Sequence, residues 1–494
     1  MEAGLEGASH LARTRVLLPG PSSYLGRRLL LRLLDHPGVA LRVLATSRMA
    51  LGEAGARVAD LIEGDPTDPE VLRRATAGID VAFYPIGFVA ADRAFEELNR
   101  TYPTRFRDAC IGAGVQRIIF LGSYPRTDAS DDDMTSPASA GRTLNAQPDR
   151  IQTIWFQSGF ILGPGSLLFE ALRHLVQKLP VLPAPRWMEA PAIAIGVQDV
   201  LDFLTSAIHV PLDRSVEVEI GLEPLRFRDM LTTTAAAMGV RRTVVRVPIR
   251  ARKLSPYVLM LLSPFSTRLS RRFLEAMEVQ GKASGQFSTT TARRLFPQLT
   301  PAPFEMAVTR TVAALEQEQV VSRWTDSMGV EFRSNVEAEL ARSVYRVVRR
   351  ESFGTIPPER IFRAFSSIGG RQGWFRFTLL WRMRGVMDKL AGGFGDAAGR
   401  RDEAELRVGD VLDVWRVIDC TPARRLLLAA HMKTGGKAWL EFRIDGNTLT
   451  QTAYYSPNGL MGRLYWYSML PFHAFIFPDM IRGIIRRAAR EVVR

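Results

Sequence analysis

Cysteine is nearly absent from this chain of 494 residues, which contains only Cys110 and Cys420. Two thiols so far apart in sequence form neither a disulfide framework nor a cysteine-based zinc site. The sequence therefore predicts reduced thiols and a cytoplasmic location. No metal site is predicted either, because His431, Glu441 and His473 lack the close spacing of metal ligands.

Long hydrophobic runs are also missing. The uncharged stretches 254–267 and 464–478 contain 14 and 15 residues and include prolines, whereas a transmembrane helix needs about 20 apolar residues. Residues 1–14 include two Glu and no apolar run, so no signal peptide is predicted there. The stretch 464–478 contains consecutive aromatic residues at 465–467 between Arg-rich flanks, which favours peripheral contact with a membrane surface.

Lysine is rare, because 6 of the 65 basic residues are Lys and the other 59 are Arg. The formal net charge is +14, and a basic chain favours nucleic acid, anionic ligands or anionic membrane surfaces. The Arg residues are scattered, with no basic arm or recognition helix, and a codon bias toward Arg explains the excess equally well. The sequence therefore predicts no specific binding of nucleic acid.

Short apolar runs alternate with amphipathic segments from residue 15 onward, a pattern typical of an α/β protein with a doubly wound parallel sheet. The predicted strands are 15–18, 41–45, 58–62, 79–84 and 117–121, and the predicted helices are 24–35 and 92–113. The pattern resumes at residue 153, and a cap is predicted over 180–320. We assign this first domain to residues 13–325.

A different pattern follows a polar linker predicted near 326–334. Alternating segments with many aromatic residues predict an antiparallel sheet. Its predicted strands are 340–350, 374–382, 411–419, 425–433, 437–444 and 448–454, and a last helix is predicted from about 459 to 493. A twisted sheet with one long C-terminal helix is typical of an α+β helix-grip domain, which we assign to residues 335–494.

A turn joins the first predicted strand to the first helix, and it consists of Gly20, Pro21, Ser22, Ser23, Tyr24, Leu25 and Gly26. Backbone N–H groups and the helix dipole at this position bind the pyrophosphate of a dinucleotide. Gly20 permits the tight turn, and Gly26 permits close packing of helix and strand. Ser23 crowds the phosphates with its Cβ but offers a hydroxyl, and Pro21 lacks an N–H. An ordinary strand–helix turn is the alternative.

The end of the second predicted strand bears on the choice of cofactor. An NAD site usually has a carboxylate there for the ribose 2′-OH, whereas this strand ends in Thr46, Ser47 and Arg48. Ser47 and Arg48 suit a 2′-phosphate, which favours NADP over NAD. Asp65 accepts a hydrogen bond from the adenine amino group or, alternatively, forms a turn or helix cap before Pro66. The cofactor ribose would be lined by Pro85, Ile86 and Gly87.

The glycine turn and the segments 63–65, 114–122, 161–166, 181–187 and 195–200 resemble atypical short-chain dehydrogenases/reductases of the NmrA-like group. The resemblance implies a Rossmann-like fold that binds NAD(P). The segments 373–374, 381–385, 413–417, 438–442, 464–466 and 471–473 resemble the C-terminal domain of unknown function in a bacterial subgroup of these proteins. That domain is similar to the START/SRPBCC helix-grip class, whose members enclose hydrophobic ligands.

The catalytic residues of this family are present only in part. Its typical members use a Tyr, a Lys four residues later and a Ser at the end of the fifth strand. Ser123 stands at that strand end and is either catalytic or a turn residue. Tyr124 is followed four residues later by Asp128, and the first Lys of the chain is Lys178, so the Tyr/Lys pair is missing. Hydride transfer needs only cofactor and substrate geometry, so a reductase is not excluded.

Tryptophans recur in the second domain among alternating apolar residues. They form either a packed core or the wall of a pocket for a hydrophobic small molecule, and the candidates are Trp374, Trp381, Trp415 and Trp439.

The sequence thus favours an NADP-dependent oxidoreductase that acts on a hydrophobic carbonyl or quinone-like substrate. The alternative is a non-catalytic NADP sensor or scaffold that carries a lipid-like ligand. The oligomeric state is not determined by the sequence.

Overall fold

The computed structural model describes most of both predicted domains. The described residues are 13–84, 93–124, 137–247, 255–317, 320–324, 336–369, 406–430 and 435–490. The linker predicted near 326–334 and the strand predicted at 374–382 lie outside them.

Strands and helices alternate through the first part of the chain, as the spacing of apolar residues predicts. The elements are β1 (Thr14–Pro19), α1 (Tyr24–Leu34), β2 (Val39–Ala45), α2 (Ala54–Arg57), β3 (Asp60–Glu63), α3 (Pro69–Thr76), β4 (Val81–Phe83), α4 (Arg93–Gly112), β5 (Arg117–Ser123), α5 (Pro137–Leu144) and β6 (Gln152–Ser158). They are followed by β7 (Phe160–Leu162), α6 (Leu167–Lys178), β8 (Val181–Ala184), β9 (Pro191–Ala192), β10 (Ala194–Gly196), α7 (Val197–Ser206) and β11 (Val216–Ile220).

Seven of these strands form one parallel sheet in the order β11-β6-β5-β4-β1-β2-β3. The strands are short and apolar, and residues such as Val16, Leu17 and Ile118 are fully buried because helices cover both faces. The strand order reverses between β1 and β4, where the chain crosses from one half of the sheet to the other. Ligands of open parallel sheets bind at the carboxyl ends of the strands at this switch point.

The predicted cap has an apolar core of its own. Its elements are β12 (Leu225–Arg226), α8 (Phe227–Ala237), β13 (Thr243–Arg246), α9 (Ser255–Leu262), α10 (Thr267–Ala283), α11 (Thr290–Leu295) and α12 (Phe304–Glu316). Phe227, Phe265 and Phe273 are buried in this core together with residues of α6. The short strands pair two by two, as β10-β7, β12-β9 and β13-β8.

The second domain is an antiparallel sheet packed against helices. Its elements are α13 (Val336–Ala341), β14 (Tyr345–Ser352), α14 (Pro358–Ser366), β15 (Val411–Leu412), β16 (Trp415–Thr421), β17 (Arg425–Ala430), β18 (Gly436–Asp445), β19 (Thr448–Pro457) and α15 (Gly459–Arg490). The strand order is β14-β19-β18-β17-β16-β15. One face of the sheet forms a core with α14 and with the C-terminal half of α15. The predicted fold class, a doubly wound parallel sheet followed by an antiparallel sheet with a long last helix, is confirmed.

Two predicted strands of the second domain have different bounds. The strand predicted at 340–350 begins at Tyr345, because residues 336–341 are helical. The strand predicted at 411–419 is divided into β15 and β16 by a turn in which Asp413 has a φ of +54°. A left-handed residue reverses the chain, so the two halves pair with each other as a hairpin.

Candidate functional site

The turn between β1 and α1 has the conformation that its sequence predicts. Gly20 has a φ of +59°, a left-handed value that favours glycine. α1 begins at Tyr24, with Ser23 as its N-cap, and the Ser23 hydroxyl accepts a hydrogen bond from the Gly26 N–H at 3.0 Å. Ser22 is half-buried, whereas Ser23 is fully buried. The Ser23 hydroxyl thus caps the helix, and its predicted contact with a phosphate stays a prediction.

Gly26 allows a close approach, although not the one expected from the sequence. A Cβ at this position would lie 2.8 Å from the Ser23 Oγ, 3.1 Å from the Gly20 carbonyl oxygen and 3.1 Å from the Pro21 Cα. All three atoms belong to the turn. Gly26 thus packs the first helical turn against the loop that precedes it, whereas the sequence predicted that it packs the helix against a strand.

Tyr24 and Leu25 are buried and belong to the apolar core of the parallel sheet. The Arg28 guanidinium carbon lies 4.8 Å from the centre of the Tyr24 ring. Arg28 also donates from Nη2 to the Pro164 carbonyl oxygen at 2.8 Å and from Nε to the Ser322 Oγ at 3.0 Å. Burial raises the pKa of Tyr24 to about 12. The Tyr24 carbonyl oxygen accepts a hydrogen bond from the Ser322 hydroxyl at 2.7 Å, so Tyr24 and Arg28 together fasten α1 to the segment 320–324.

Arg48 lies at the predicted end of β2, and a carboxylate lies beside it. The Arg48 guanidinium Nη1 donates to the carbonyl oxygens of Gly55 and Val58, at 2.5 and 3.0 Å. The Arg48 backbone N–H donates to Oε2 of Glu63 at 3.2 Å. Glu63 ends β3, the neighbour of β2 in the sheet. The sequence favoured NADP because β2 itself ends without a carboxylate. That argument is weakened, because Glu63 of the adjacent strand places a carboxylate beside Arg48.

Asp65 forms a turn, which was one of its two predicted roles. Its Oδ1 accepts hydrogen bonds from the Thr67 N–H and the Thr67 hydroxyl, both at 2.8 Å. Pro66 is buried beneath this turn, and the cap of α3 is Asp68, whose side chain accepts from the Glu70 N–H. The adenine contact of Asp65 stays a prediction. The predicted ribose-lining residues lie outside the described residues; they are Pro85, Ile86 and Gly87.

The carboxyl end of β5 presents two hydroxyl groups. Ser123 is exposed there and lies opposite Ser158 of β6. Tyr124 is buried, with 5% of its surface exposed, and its ring meets the Phe287 ring edge-on at 6.1 Å. Its hydroxyl is buried and has no hydrogen-bond partner among the described residues. Burial, and to a smaller extent the charge of Glu219, raise the pKa of Tyr124, so this hydroxyl stays protonated.

The tryptophans of the second domain do not all meet. Trp415 lies in the core between the sheet, α14 and α15. Trp439 lies in a small cluster on the opposite face, with Leu340 and Leu427. Trp374 and Trp381 lie outside the described residues. The two described tryptophans of the four candidates thus occupy separate apolar clusters, and the predicted hydrophobic ligand pocket stays a prediction.

A polar cavity opens on the face that carries Trp439. Its volume is about 460 Å³, and its lining residues are Leu340, Ala341, Arg346, Asp419, Thr421, Arg424, Arg425, Glu441, Arg443 and Tyr454. Eight of these ten side chains are polar or charged. The sequence did not indicate this cavity, because its residues come from α13, five strands and the turn before β17, and the strand order brings them together.

Comparison with known proteins yields one family and a set of solved structures. A family model described as a protein of unknown function (DUF2867) matches residues 340–480. No curated protein sequence matches the chain. Among solved structures, Citrobacter sp. triphenylmethane reductase complexed with NADP(H) is similar, at 12% identity over 60% of this chain and 99% of that one, with a TM-score of 0.48.

Two further solved structures are nucleoside-diphosphate-sugar epimerases. The one from Staphylococcus aureus is 13% identical over 60% of this chain and 99% of its own, with a TM-score of 0.47. The one from Pseudomonas aeruginosa is 14% identical over 63% of this chain and 99% of its own, with a TM-score of 0.47. At these identities and scores, the function has to be inferred from the chain's own residues.

None of the helices in the described part of the chain combines the length and the apolar character that a membrane span requires.

Proposed function

We propose that the first domain binds a nicotinamide dinucleotide at the β1–α1 turn and that the protein is an oxidoreductase. One observation carries the proposal: the left-handed Gly20 and the N-terminus of α1 lie where the strand order reverses between β1 and β4. Backbone N–H groups and the positive end of the helix dipole favour a pyrophosphate at this place. Ser22, a half-buried residue of the same turn, precedes this helix N-terminus.

The turn would hold the pyrophosphate less tightly than a turn made of glycines. Pro21 supplies no N–H, and the Gly26 N–H is used by the Ser23 hydroxyl. The loop before α1 therefore lacks one N–H donor, and one donor of the first helical turn is already used. We expect a dissociation constant in the micromolar range, on the order of 10–100 μM, which corresponds to about 5.5–7 kcal/mol of binding free energy.

Tyr124 is the residue that we propose as proton donor. The bound dinucleotide would supply or accept a hydride, and a carbonyl or quinone-like substrate then needs a proton on its oxygen. The Tyr124 hydroxyl is buried without a partner among the described residues, and burial raises its pKa, so the group carries a proton that no described residue accepts. Ser123 lies next to it at the same strand end. The alternative function, a dinucleotide sensor without turnover, would share the binding site and lack the chemistry.

A titration of the full chain with NADPH, NADP, NADH and NAD tests the binding proposal. Arg48→Glu is expected to weaken NADPH binding at least tenfold, because it replaces the cation beside the proposed 2′-phosphate position with an anion. Glu63→Gln is expected to strengthen NADPH relative to NADH several-fold, because it removes a carboxylate that repels the 2′-phosphate. Nicotinamide fluorescence and calorimetry measure both effects.

Arg150→Glu is the matched control for charge, since Arg150 is exposed and lies before β6. It should leave all four affinities unchanged. If no dinucleotide binds at millimolar concentration, the first domain is not a cofactor domain. If NADPH and NADH bind equally and neither substitution alters their ratio, the proposal of an NADP preference is wrong while dinucleotide binding stands.

We also propose that α15 attaches the protein to an anionic membrane surface. The first half of this helix exposes a stripe of large apolar side chains, which are Leu460, Met461, Leu464, Tyr467, Leu470, Phe472 and Phe475. Leu460, Leu464, Tyr467 and Phe475 follow the three- and four-residue spacing of one helix face. The stripe is about 22 Å long at 1.5 Å per residue. Exposed apolar patches of this extent are rare on monomeric proteins and mark sites of interaction.

Charge complementarity favours a lipid surface as the partner of the stripe. α15 contains five Arg and a single acid, Asp479. Arg482 and Arg486 continue the helical line of the stripe toward the C-terminus, and both are more than half exposed. An apolar face bordered by Arg lies in the headgroup region of anionic bilayers, where each nearby cation contributes about 1 kcal/mol.

Sedimentation with vesicles tests this attachment. The chain should bind phosphatidylcholine vesicles that contain phosphatidylglycerol, bind pure phosphatidylcholine weakly, and dissociate as salt rises. Leu464→Ser with Phe475→Ser should weaken binding at least tenfold. The control pair Leu261→Ser with Val344→Ser removes two equally exposed apolar side chains elsewhere and should have no effect. Absence of vesicle binding would contradict the proposal. The proposal would also be wrong if the parent protein is a dimer in solution and the stripe variant, but not the control pair, is a monomer.

A further inference from the structure

We propose that the polar cavity of the second domain binds a small organic anion that carries a carboxylate or a phosphate group. The cavity lies on the face of the antiparallel sheet that points away from α14 and α15. Leu428, Leu440 and Phe442 point into the core on one side, whereas their neighbours Arg425, Glu441 and Arg443 line the cavity on the other. Successive side chains of a strand point to opposite faces of the sheet, which explains why adjacent residues face the core and the cavity. The proposal does not depend on dinucleotide binding.

The floor of the cavity is a hydrogen-bonded network around one buried acid. The Glu441 side chain is 8% exposed. Its Oε1 accepts from the Arg425 Nε at 2.6 Å, and its Oε2 accepts from the Tyr454 hydroxyl at 2.7 Å. Arg425 also pairs through Nη1 with Asp419 at 3.3 Å. Both oxygens of Glu441 are thus satisfied, and Arg425 and Tyr454 are held in fixed positions beneath the cavity.

The lining carries more positive than negative charge. Its described residues include four arginines against the two acids Asp419 and Glu441, an excess of two positive charges. The two acids are already paired with Arg425. The Arg424 guanidinium is exposed and has no hydrogen-bond or ion-pair partner among the described residues, and among these residues the Arg443 guanidinium makes an exposed pair with Asp445. An exposed pair of this kind contributes little and is easily exchanged for a ligand.

The shape and the remaining walls limit the size of the ligand. A volume of about 460 Å³ is within the range of small-molecule sites. Leu340 and Ala341 form an apolar wall from α13, while Arg346 stacks over the Tyr454 ring, 5.1 Å from its centre. The cavity suits a ligand whose anionic group contacts Arg424 and Arg443 and whose short carbon body packs against α13. A large hydrophobic ligand does not fit a lining of this polarity.

The competing explanation is an ion-pair network that only stabilises the sheet. Such a network needs paired charges, and the group of Arg425, Asp419 and Glu441 already supplies them. It requires neither a cavity nor two further arginines at its rim. The two explanations differ in the role of Arg424 and Arg443. If the network is only structural, neutralising these exposed side chains changes the stability little and affects no ligand. If the cavity is a binding site, neutralising them weakens the binding of the anion.

Calorimetry on the full chain, with citrate as the carboxylate probe and glucose 6-phosphate as the phosphate probe, tests the proposal. Glucose and sodium chloride at matched ionic strength are the neutral and salt controls. At least one of the two anions should bind with a dissociation constant of about 1 mM or tighter and raise the melting temperature of the second domain. The anion that binds identifies the head group.

The variant Arg424→Gln with Arg443→Gln should weaken that binding at least tenfold while the melting temperature without ligand stays the same. The control variant Arg349→Gln with Arg363→Gln removes the same charge from exposed positions outside the cavity and should bind as the parent does. If neither anion binds, or if both variants lose affinity equally, the cavity is not an anion site. Failure here leaves the dinucleotide titration unaffected, so the two proposals are tested separately.

Discussion

Replacing Gly26 with valine should remove dinucleotide binding while the fold of the second domain stays intact. The valine Cβ would lie 2.8 Å from the Ser23 Oγ and 3.1 Å from the Gly20 carbonyl oxygen and the Pro21 Cα. The Ser23 hydroxyl can rotate away only by giving up its hydrogen bond to the Gly26 N–H, which costs about 1 kcal/mol of helix capping. The backbone of Gly20 and Pro21 cannot rotate away, so the turn must shift outward.

An outward shift of this turn moves the phosphate-binding groups away from the N-terminus of α1. We expect NADPH affinity to fall at least a hundredfold, as measured by nicotinamide fluorescence, with a modest loss of thermal stability. Gly112→Val is the matched control, because a Cβ at Gly112 meets no atom within 4 Å and the residue ends α4. Unchanged affinity in Gly26→Val would show that the dinucleotide, if it binds, does so elsewhere.

Replacing Gly159 with alanine should destabilise the first domain severely. Gly159 lies between β6 and β7, and an added Cβ would lie 2.1 Å from the Ile193 carbonyl oxygen and 2.7 Å from the Ile193 carbonyl carbon. That oxygen accepts a hydrogen bond from the Phe160 N–H at 2.8 Å. The clash is between backbone atoms and an added side chain, so no rotamer change relieves it.

The strands β7 and β10 must separate to accept the methyl group, which breaks their short parallel ladder. We expect a loss of about 4 kcal/mol in unfolding free energy, at the upper end of what a single substitution causes, because backbone atoms have to move apart. Chemical denaturation of the full chain, followed by circular dichroism, measures it. Gly285→Ala is the control, because a Cβ there meets open space. A similar small effect in both variants would contradict the packing described here.

Local patterns in the sequence were sufficient for most of the secondary structure. Strands β1, β2 and β5 lie within one or two residues of their predicted bounds because short apolar runs between polar turns have few alternatives. The turn at Gly20 was predictable because its glycine stands between a strand and a helix. The bounds at 340–350 and 411–419 were wrong in part, since α13 and the turn at Asp413 are decided by local conformations that apolar spacing does not encode.

The candidate sites were predictable only where one segment supplies all the residues. Local sequence patterns were enough to show that the chain has an α/β half and an antiparallel half, that a glycine turn precedes α1, and that 464–478 is apolar and aromatic. Contacts between distant segments place Glu63 beside Arg48, put Trp415 and Trp439 on opposite faces of one sheet, and gather four arginines around one cavity. The physical reason is that spacing along the chain specifies which face of a strand is buried, whereas neighbours across a sheet depend on strand order and register, which arise from contacts between distant residues.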